Sequence, residues 1–131
     1  ESFVAKWLHA NLPAGIVLET QYKADLDENG MFVFRIDLVL IDVASDRVLA
    51  VLDTKYKRKE RPDVADIQQI VAYAVRMNTQ KAILIYPSTD TQIVNLTVGE
   101  VNLCSLIFDI GVDPDEAGRS FLEKLMAVVK P

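Results

Sequence analysis

The sequence predicts a single mixed α/β domain, with helices packed against one β-sheet. The chain has 131 residues, of which half are apolar and a quarter are charged, the balance of one globular domain with a core. Apolar runs typical of strands alternate with segments whose apolar residues recur at helical spacing. The predicted order is helix, three meandering strands, helix, strand, two strands, helix, which favours a mixed sheet covered by helices.

The first half of the chain contains one predicted helix and three predicted strands. Ser2 is a candidate cap for a helix that continues to Leu12, and Pro-Ala-Gly at 13–15 ends it. The predicted strands are 15–26, 31–42 and 47–57. A strong turn signal, Asp-Glu-Asn-Gly at 27–30, separates the first strand from the second.

The second half contains a helix, three strands and a last helix. Pro62 fits the first turn of a helix that ends near Met77. The predicted strands are 81–86, 92–97 and 101–108. The first of these is apolar on both faces, which is typical of an interior strand that runs parallel to a neighbour. Asp113 is a natural N-cap for the last helix, and Pro114 is expected at its first position.

The composition excludes several classes of protein. No apolar run reaches the roughly 20 residues that span a bilayer, and no signal-peptide pattern is visible. The single cysteine, Cys104, excludes an internal disulfide and a cysteine-rich zinc site, so we expect a cytoplasmic protein. The net charge of −5 argues mildly against nucleic-acid binding over the whole surface, and it allows a local basic strip. No methionine starts the chain, and we expect residues 1–131 to be one domain from the C-terminal part of a longer protein.

Two predicted strands carry the residues with the most chemical content. Asp37 lies on the second strand, and Asp53 and Lys55 lie on the third. Because successive side chains of a strand alternate between faces, Asp53 and Lys55 project from one face and Thr54 projects from the other. Asp53 follows directly on an apolar run, so we expect this cluster at the end of a core, in a cleft.

The turn at 43–47 sets the expected pairing of these two strands. Its odd length suits a hairpin in which Asp42 pairs with Val48, and that register places Asp37 opposite Asp53. Two carboxylates this close repel each other unless one holds a proton or a cation lies between them. A divalent cation that prefers oxygen ligands, Mg²⁺ or Mn²⁺, is the simplest explanation of the pair.

The expected metal ligands are Asp37, Asp53 and the backbone carbonyl of Thr54, completed by water and a substrate phosphate. Lys55 would stand beside the metal, where it orients an attacking water or stabilises developing negative charge. These groups suit metal-assisted hydrolysis of a phosphodiester.

The middle predicted helix carries a second, polar stripe. Asp66, Gln69 and Tyr73 recur at spacings of three and four residues and so share one side of the helix. We expect Gln69 and Tyr73 to face the carboxylates, with Gln69 near the water or the phosphate and Tyr73 bracing the site or the DNA backbone. Ile67 and Val71 should pack on the sheet.

Basic residues near these motifs are candidates for contacts with DNA phosphates. The candidates are Arg35, Lys57, Arg58, Lys59 and Arg61. The register above places Arg35 opposite Lys55, and Arg35 would either contact phosphate or form an ion pair with Asp53. The simpler alternatives are a solvated ion pair of Asp53 with Lys55, worth under about 1 kcal/mol, an exposed helix surface at Gln69 and Tyr73, and a soluble basic loop.

These motifs resemble the PD-(D/E)XK nuclease superfamily, which has an Asp on one strand of a hairpin and an Asp-x-Lys on the next. Ile36 stands where the superfamily name has proline. The Q-x-x-x-Y pattern of Gln69 and Tyr73 resembles the RecB-like branch. The longer strings, Asp-Thr-Lys-Tyr-Lys at 53–57 and Asp-Ile-Gln-Gln at 66–69, are most similar to McrC, the nuclease subunit of the McrBC methylcytosine restriction system.

The resemblance implies a restriction-endonuclease-like sheet and a Mg²⁺-dependent DNA endonuclease, with Mn²⁺ as a substitute ion. The catalytic residues it implies are Asp37, Asp53, Lys55, Gln69 and Tyr73. An McrB-like AAA+ GTPase would recognise modified sites, translocate DNA and mediate any oligomer, in defence against foreign DNA. Many superfamily members take a further acidic ligand from the first helix, but that helix offers only Glu1 here. The site could therefore hold either one metal ion or two.

Two other functions also remain open from the sequence. One is a non-catalytic nucleic-acid-binding or scaffolding module of the same fold, against which the intact Asp37, Asp53 and Lys55 argue. The other is a RecB-like exonuclease, which needs a DNA end.

Overall fold

Six strands and three helices make up the part of the chain that the structure describes. The computed structural model describes residues 3–25, 28–31, 33–55, 63–88 and 93–130. The helices are α1 (Phe3–Asn11), α2 (Val64–Arg76) and α3 (Pro114–Val129). The strands are β1 (Ile16–Asp25), β2 (Val33–Asp42), β3 (Arg47–Thr54), β4 (Lys81–Tyr86), β5 (Asn95–Val98) and β6 (Val101–Ile107). Their order along the chain is the predicted order.

The strands form one mixed sheet in the order β1-β2-β3-β4-β6-β5. β1, β2 and β3 form an antiparallel meander, β3, β4 and β6 run parallel, and β5 pairs with β6 in the antiparallel sense. The predicted mixed α/β fold and the interior position of β4 are confirmed. Because α2 connects the parallel strands β3 and β4, its N-terminus follows the carboxyl end of β3.

Helices cover both faces of the sheet. α1 and α3 pack on one face, against side chains such as Leu52 and Ile83. α2 packs on the other face, against side chains such as Val51 and Leu84. Both faces of β3 and β4 are therefore buried, which explains their nearly continuous apolar sequences. Within the described ranges, no helix combines the length and the apolar character that crossing a membrane would need.

Two predicted boundaries are wrong near the ends of β3 and α2. β3 ends at Thr54 rather than at 57: Lys55 lies outside the strand, and 56–57 lie outside the described residues. α2 begins at Val64 rather than at 62, because Asp63 has extended backbone (φ −70°, ψ 146°) and occupies the N-cap position. Pro62 lies outside the described residues.

The start of β5 also differs from the prediction, which placed it at 92. The ladder of β5 begins at Asn95, and before it the carbonyl of Val94 accepts a hydrogen bond from the N–H of Ser105 at 2.9 Å. The N–H of Val94 donates to the Ser105 hydroxyl at 2.8 Å instead of to a backbone carbonyl. A side chain therefore takes the donor that would have extended the ladder. At the last helix, Asp113 and Pro114 have the predicted capping and first positions.

The turn between β2 and β3 is shorter than predicted. Asp42 pairs with Arg47 and not with Val48, so the loop is 43–46 rather than 43–47. Asp46 has a left-handed backbone (φ 56°), which helps the shorter loop to close. The Asp42 carboxylate accepts hydrogen bonds from the N–H and the hydroxyl of Ser45, at 3.2 and 2.5 Å.

A β-bulge restores the predicted register after this turn. The pairs continue as Ile41–Val48, Leu40–Ala50, Val39–Val51 and Leu38–Leu52. Leu49 has no partner in β2, and this extra residue compensates for the shorter loop. The middle of the hairpin thus has the register that was predicted from a longer turn without a bulge.

α1 and α3 meet at a glycine. Gly118 of α3 lies against the indole ring of Trp7 in α1, and a Cβ atom on Gly118 would overlap that ring. Trp7 is 8% exposed, and its ring packs edge-on against Phe108 with the centroids 5.7 Å apart. The ring has little room to move away from α3.

We expect Gly118→Ala to destabilise the fold by about 2 kcal/mol, because overpacking a core contact costs roughly 1–3 kcal/mol. The sign of the change in the free energy of unfolding is diagnostic, since Gly→Ala at an open helix position stabilises a protein by about 1 kcal/mol. Ser120→Ala, at an exposed position of the same helix, is the control. Urea unfolding gives the free energy of unfolding of the wild type and of both variants. A Gly118→Ala variant as stable as the wild type would mean that Trp7 is not held against α3.

Candidate functional site

The candidate site lies at the carboxyl ends of β3 and β4, beside the N-terminus of α2. These strands are parallel and end together, with Thr54 paired to Ile85. The three residues before the site are 0% exposed: Ala50, Val51 and Leu52. The polar residues that follow therefore begin where the core ends, in partial contact with solvent.

Lys55 is held between two carboxylates. Its Nζ lies 2.6 Å from Oδ2 of Asp53 and 3.1 Å from Oδ1 of Asp66. The side chains of Lys55, Asp53 and Asp66 are only 22%, 18% and 21% exposed. Salt screens such partly buried pairs less than it screens surface pairs. The alternative of a fully solvated surface pair does not describe this cluster.

Asp37, on the neighbouring strand, is held by two other residues. Its Oδ2 accepts hydrogen bonds from the N–H of Thr54 at 3.1 Å and from the Thr54 hydroxyl at 2.5 Å. Its Oδ1 accepts a hydrogen bond from Nε2 of Gln21 at 3.3 Å. The β2–β3 ladder ends at Leu38, so the carboxylate replaces a backbone acceptor for Thr54.

The ladder pairs predicted at this edge are wrong for the same reason. Asp37 does not pair with Asp53, and Arg35 does not pair with Lys55, because the strands separate before these positions. The N–H of Lys55 donates instead to the carbonyl of Ile85 in β4, at 2.8 Å. Arg35 is exposed, and no ion pair joins it to Asp53 among the described residues. Of the two roles that the sequence left open for Arg35, the ion pair with Asp53 is therefore not observed.

Gln21 interrupts β1 next to Asp37. It has φ 51°, an uncommon conformation for a residue with a side chain. The β1–β2 pairs on either side of it, Thr20–Leu38 and Tyr22–Ile36, keep the same register. The strand distorts at Gln21 while its side chain reaches Asp37, and neither the bend nor this contact has a signal in the local sequence.

Burial and like charge act on Asp53 together. Burial raises the pKa of Asp53, the nearby Asp37 and Asp66 raise it further, and the hydrogen bond and charge of Lys55 oppose them. Burial alone would lower the pKa of Lys55, but its contacts with Asp53 and Asp66 outweigh burial and raise it. Among the described residues, this edge therefore has more carboxylates than cations close together, a setting that favours a bound cation.

α2 brings its polar stripe to this edge. Tyr73 is 7% exposed and packs edge-on against Phe34 with the centroids 5.0 Å apart. Burial raises the pKa of Tyr73, and the nearby charge of Asp53 raises it further. Gln69 is exposed one turn earlier. The apolar residues of α2 that are buried or partly buried against the sheet are Ile67, Ile70, Val71 and Ala74.

Residues 1–87 match the sequence model of a family described as "McrBC 5-methylcytosine restriction system component". The match covers more than half of the chain. The chain belongs to the McrBC family. No curated protein sequence matches it.

A solved structure shares the fold of this McrBC family member. It is described as the refined half-complex from the tetradecameric assembly of Thermococcus gammatolerans McrB AAA+ hexamers with bound McrC. The TM-score is 0.70 and the sequence identity is 17%, over 94% of this chain and 31% of the matched chain. The present chain therefore spans less than a third of the matched one, and at this identity the likeness shows the fold.

The McrBC chain offers two carboxylates for a metal ion at this edge. Among the described residues, no group of three or more His, Cys, Asp and Glu side chains is placed to hold a metal. Mg²⁺ is commonly bound through one or two carboxylates, several waters and substrate phosphate oxygens. Asp37 and Asp53 fit an ion held in that way, and they do not fit an ion held by protein ligands alone. Thr54 contacts Asp37 through its N–H and its hydroxyl.

The basic residues and Asp66 complete the list of predicted residues near the site. Four predicted DNA contacts lie outside the described residues: Lys57, Arg58, Lys59 and Arg61. Asp66 was predicted to share the stripe of Gln69 and Tyr73 without a role, and the structure brings it to Lys55.

Tyr86 is a residue of this edge that the sequence analysis missed. It ends β4 at 1% exposure, and its hydroxyl has no hydrogen-bond partner among the described residues. Burial raises the pKa of Tyr86 to about 12, and the nearby charge of Asp66 contributes. The sequence shows only an apolar strand closed by Pro87, so nothing there separates Tyr86 from an ordinary core residue.

We expect Tyr86→Phe to stabilise the protein by about 1 kcal/mol at neutral pH, since an unpaired buried hydroxyl costs roughly 1–3 kcal/mol. The folded pKa of about 12 exceeds the unfolded value of 10.0, so the wild type loses stability as the pH rises from 10 towards 12. The variant lacks that loss, and its advantage should grow in urea titrations repeated at about pH 11. A variant less stable than the wild type at neutral pH would mean that the hydroxyl has a partner in solution.

Proposed function

We propose that this chain is a Mg²⁺-dependent DNA endonuclease domain of a modification-dependent restriction system, and that it hydrolyses phosphodiester bonds. The observation that carries the proposal is the edge of the sheet at which Asp53 and Lys55 follow the buried residues of β3 and Asp37 is hydrogen-bonded to Thr54. Membership of the McrBC family supports the restriction system as its setting.

In this proposal Asp37, Asp53 and the carbonyl of Thr54 hold the Mg²⁺ ion, and Mn²⁺ can replace it. A bound ion would lower the pKa of a water molecule and neutralise charge on the scissile phosphate. The Thr54 N–H and hydroxyl fix the orientation of Asp37, and Gln21 fixes its other oxygen. Ligands restrained in this way lose little conformational entropy when the ion and the DNA bind.

Lys55 supplies the positive charge of the protein at the reacting phosphate. Its ammonium group is partly buried, so its interaction with a phosphate is screened less than that of a surface lysine. Gln69 is exposed and is available to the water or the phosphate, while the buried Tyr73 braces the site or the DNA backbone. Arg35 and the basic residues Lys57, Arg58, Lys59 and Arg61 would contact the DNA backbone, which supplies affinity without sequence preference.

We further propose that recognition and translocation come from an AAA+ GTPase partner like McrB. The solved structure that shares the fold belongs to an assembly of McrB AAA+ hexamers with bound McrC, which supports this partner. The domain would then cut with little sequence preference of its own, in the cytoplasm, and would form oligomers through the partner.

Lys55→Ala should separate binding from chemistry. Mn²⁺ should still bind, because an ammonium group has no lone pair for the ion and its loss removes a repulsive charge. DNA binding should fall only modestly, since Lys55 is one phosphate contact among several. DNA cleavage should fall by at least about 100-fold, the usual loss for one positioned charge-stabilising or acid–base group. Calorimetry measures Mn²⁺ binding, and cleavage is measured in the complex with the partner and nucleotide.

The matched control for this variant is Lys124→Ala, which removes an exposed lysine from α3 on the opposite face of the sheet. It should cleave at the wild-type rate. Near wild-type cleavage by Lys55→Ala would make Lys55 a bystander, and loss of Mn²⁺ binding would contradict its role beside the metal. A wild-type protein that binds no Mn²⁺ at millimolar concentration would favour the non-catalytic module.

Closed circular DNA distinguishes the endonuclease from the exonuclease that the Gln69 and Tyr73 pattern also suggests. We expect the assembled complex to convert methylated closed circular DNA to nicked or linear forms, because an endonuclease needs no DNA end. Gel electrophoresis of the products measures this conversion, with the same plasmid linearised beforehand as the control. Digestion of the linear plasmid alone would identify an exonuclease.

A further inference from the structure

We propose that Asp66 is the positioning residue for Lys55, which it holds in place when a divalent cation engages Asp53. This inference rests on the proposed function, in which Asp53 is a metal ligand and Lys55 acts on the phosphate. It assigns a role to a carboxylate that the metal site does not need.

Lys55 depends on two carboxylates that differ in what else they do. Its Nζ is 2.6 Å from Oδ2 of Asp53 and 3.1 Å from Oδ1 of Asp66. An ion bound to Asp53 would share that carboxylate with Lys55, and its positive charge would repel the ammonium group. The pair with Asp66 is then the contact that remains. Without it, a long and flexible lysine side chain would have no fixed position at the edge of the site.

The place of Asp66 in the fold suits this role. It lies in the first turn of α2, whereas Asp53 and Lys55 lie on or directly after β3. α2 is fixed to the sheet by buried residues one and two turns further on, including Ile70 and Ala74. A helix N-terminus also attracts a negatively charged side chain. Asp66 is thus an anion on a rigid element, and its position does not depend on how Asp53 is engaged.

Removing Asp66 should therefore affect the metal through Lys55. In Asp66→Asn, Lys55 has Asp53 as its remaining charged partner and competes with the cation for it. We expect the affinity for Mn²⁺ to fall by about threefold to tenfold, within the range of coupling between contacting residues. When Lys55 is replaced by methionine the competitor is absent, so Asp66→Asn should change Mn²⁺ affinity little in that background. A general field effect of the Asp66 charge on the metal would instead be equal in both backgrounds.

The test is a double-mutant cycle in the full-length protein. Calorimetry gives the Mn²⁺ affinity of the wild type, Asp66→Asn, Lys55→Met and the double variant. In the assembled complex, Asp66→Asn should lower kcat by about tenfold or more, with a smaller change in KM for DNA. Asp66→Glu, which keeps the charge, should restore part of kcat. Asp115→Asn, in the exposed first turn of α3, is the control for losing an acidic residue at a helix N-terminus.

Two outcomes for the variants would overturn the inference. One is wild-type Mn²⁺ affinity and kcat in Asp66→Asn. The other is an equal loss from Asp66→Asn with Lys55 and with methionine at that position. Thermal melts show whether Asp66→Asn is misfolded. If it is, the Mn²⁺ affinity and kcat of Asp66→Glu, compared with those of the wild type, decide the question. A wild type that binds Mn²⁺ and does not cleave DNA contradicts the proposed function, and the affinities still test the contact. A wild type that binds no Mn²⁺ overturns the proposed function and this inference together.

Discussion

The contact of Lys55 with two carboxylates joins a strand to a helix, and the geometry of the carboxyl edge depends on it. β3 brings Asp53 and Lys55 out of a core whose last residues are fully buried, so neither charge is well solvated. The first turn of α2 supplies Asp66 from another direction. Because each charge is partly desolvated, removing one partner of a pair leaves the other partly buried without compensation. The edge therefore keeps its charged groups together only while α2 is packed on the sheet.

Asp37 is controlled by a different means, the separation of two strands. Where the β2–β3 ladder ends, its carboxylate accepts the hydrogen bonds of Thr54, and the left-handed Gln21 brings an amide from β1 to its other oxygen. Backbone strain of this kind persists only where the surroundings determine it strongly. The irregularities at Gln21 in β1 and at the end of the β2–β3 ladder thus both place hydrogen-bond donors on the Asp37 carboxylate. In a flat and regular sheet this carboxylate would simply project from one face.

The order of the elements could be predicted because it depends on local spacing: alternating apolar residues, helical stripes, and caps such as Asp113. The shared face of Asp53 and Lys55 follows from strand alternation in the same way. The contact of Asp66 with Lys55 could not be predicted, because it depends on how α2 crosses the sheet. The predicted hairpin turn was one residue too long. The predicted register in the middle of β2 and β3 was still right, because the unpaired Leu49 compensates for that residue. Burial hides the hydroxyl of Tyr86, whose sequence context is that of any core residue.

The unpaired Leu49 also makes the two ends of the hairpin independent of each other. The loop at 43–46 lies at one end of β2 and β3, and the carboxylates lie towards the other. A strand that already accommodates one extra residue can absorb a change in loop length before that change reaches Leu38 and Leu52. Evolution and protein engineering therefore have a place to lengthen, shorten or label this hairpin, while the residues that carry Asp37 and Asp53 keep their alignment.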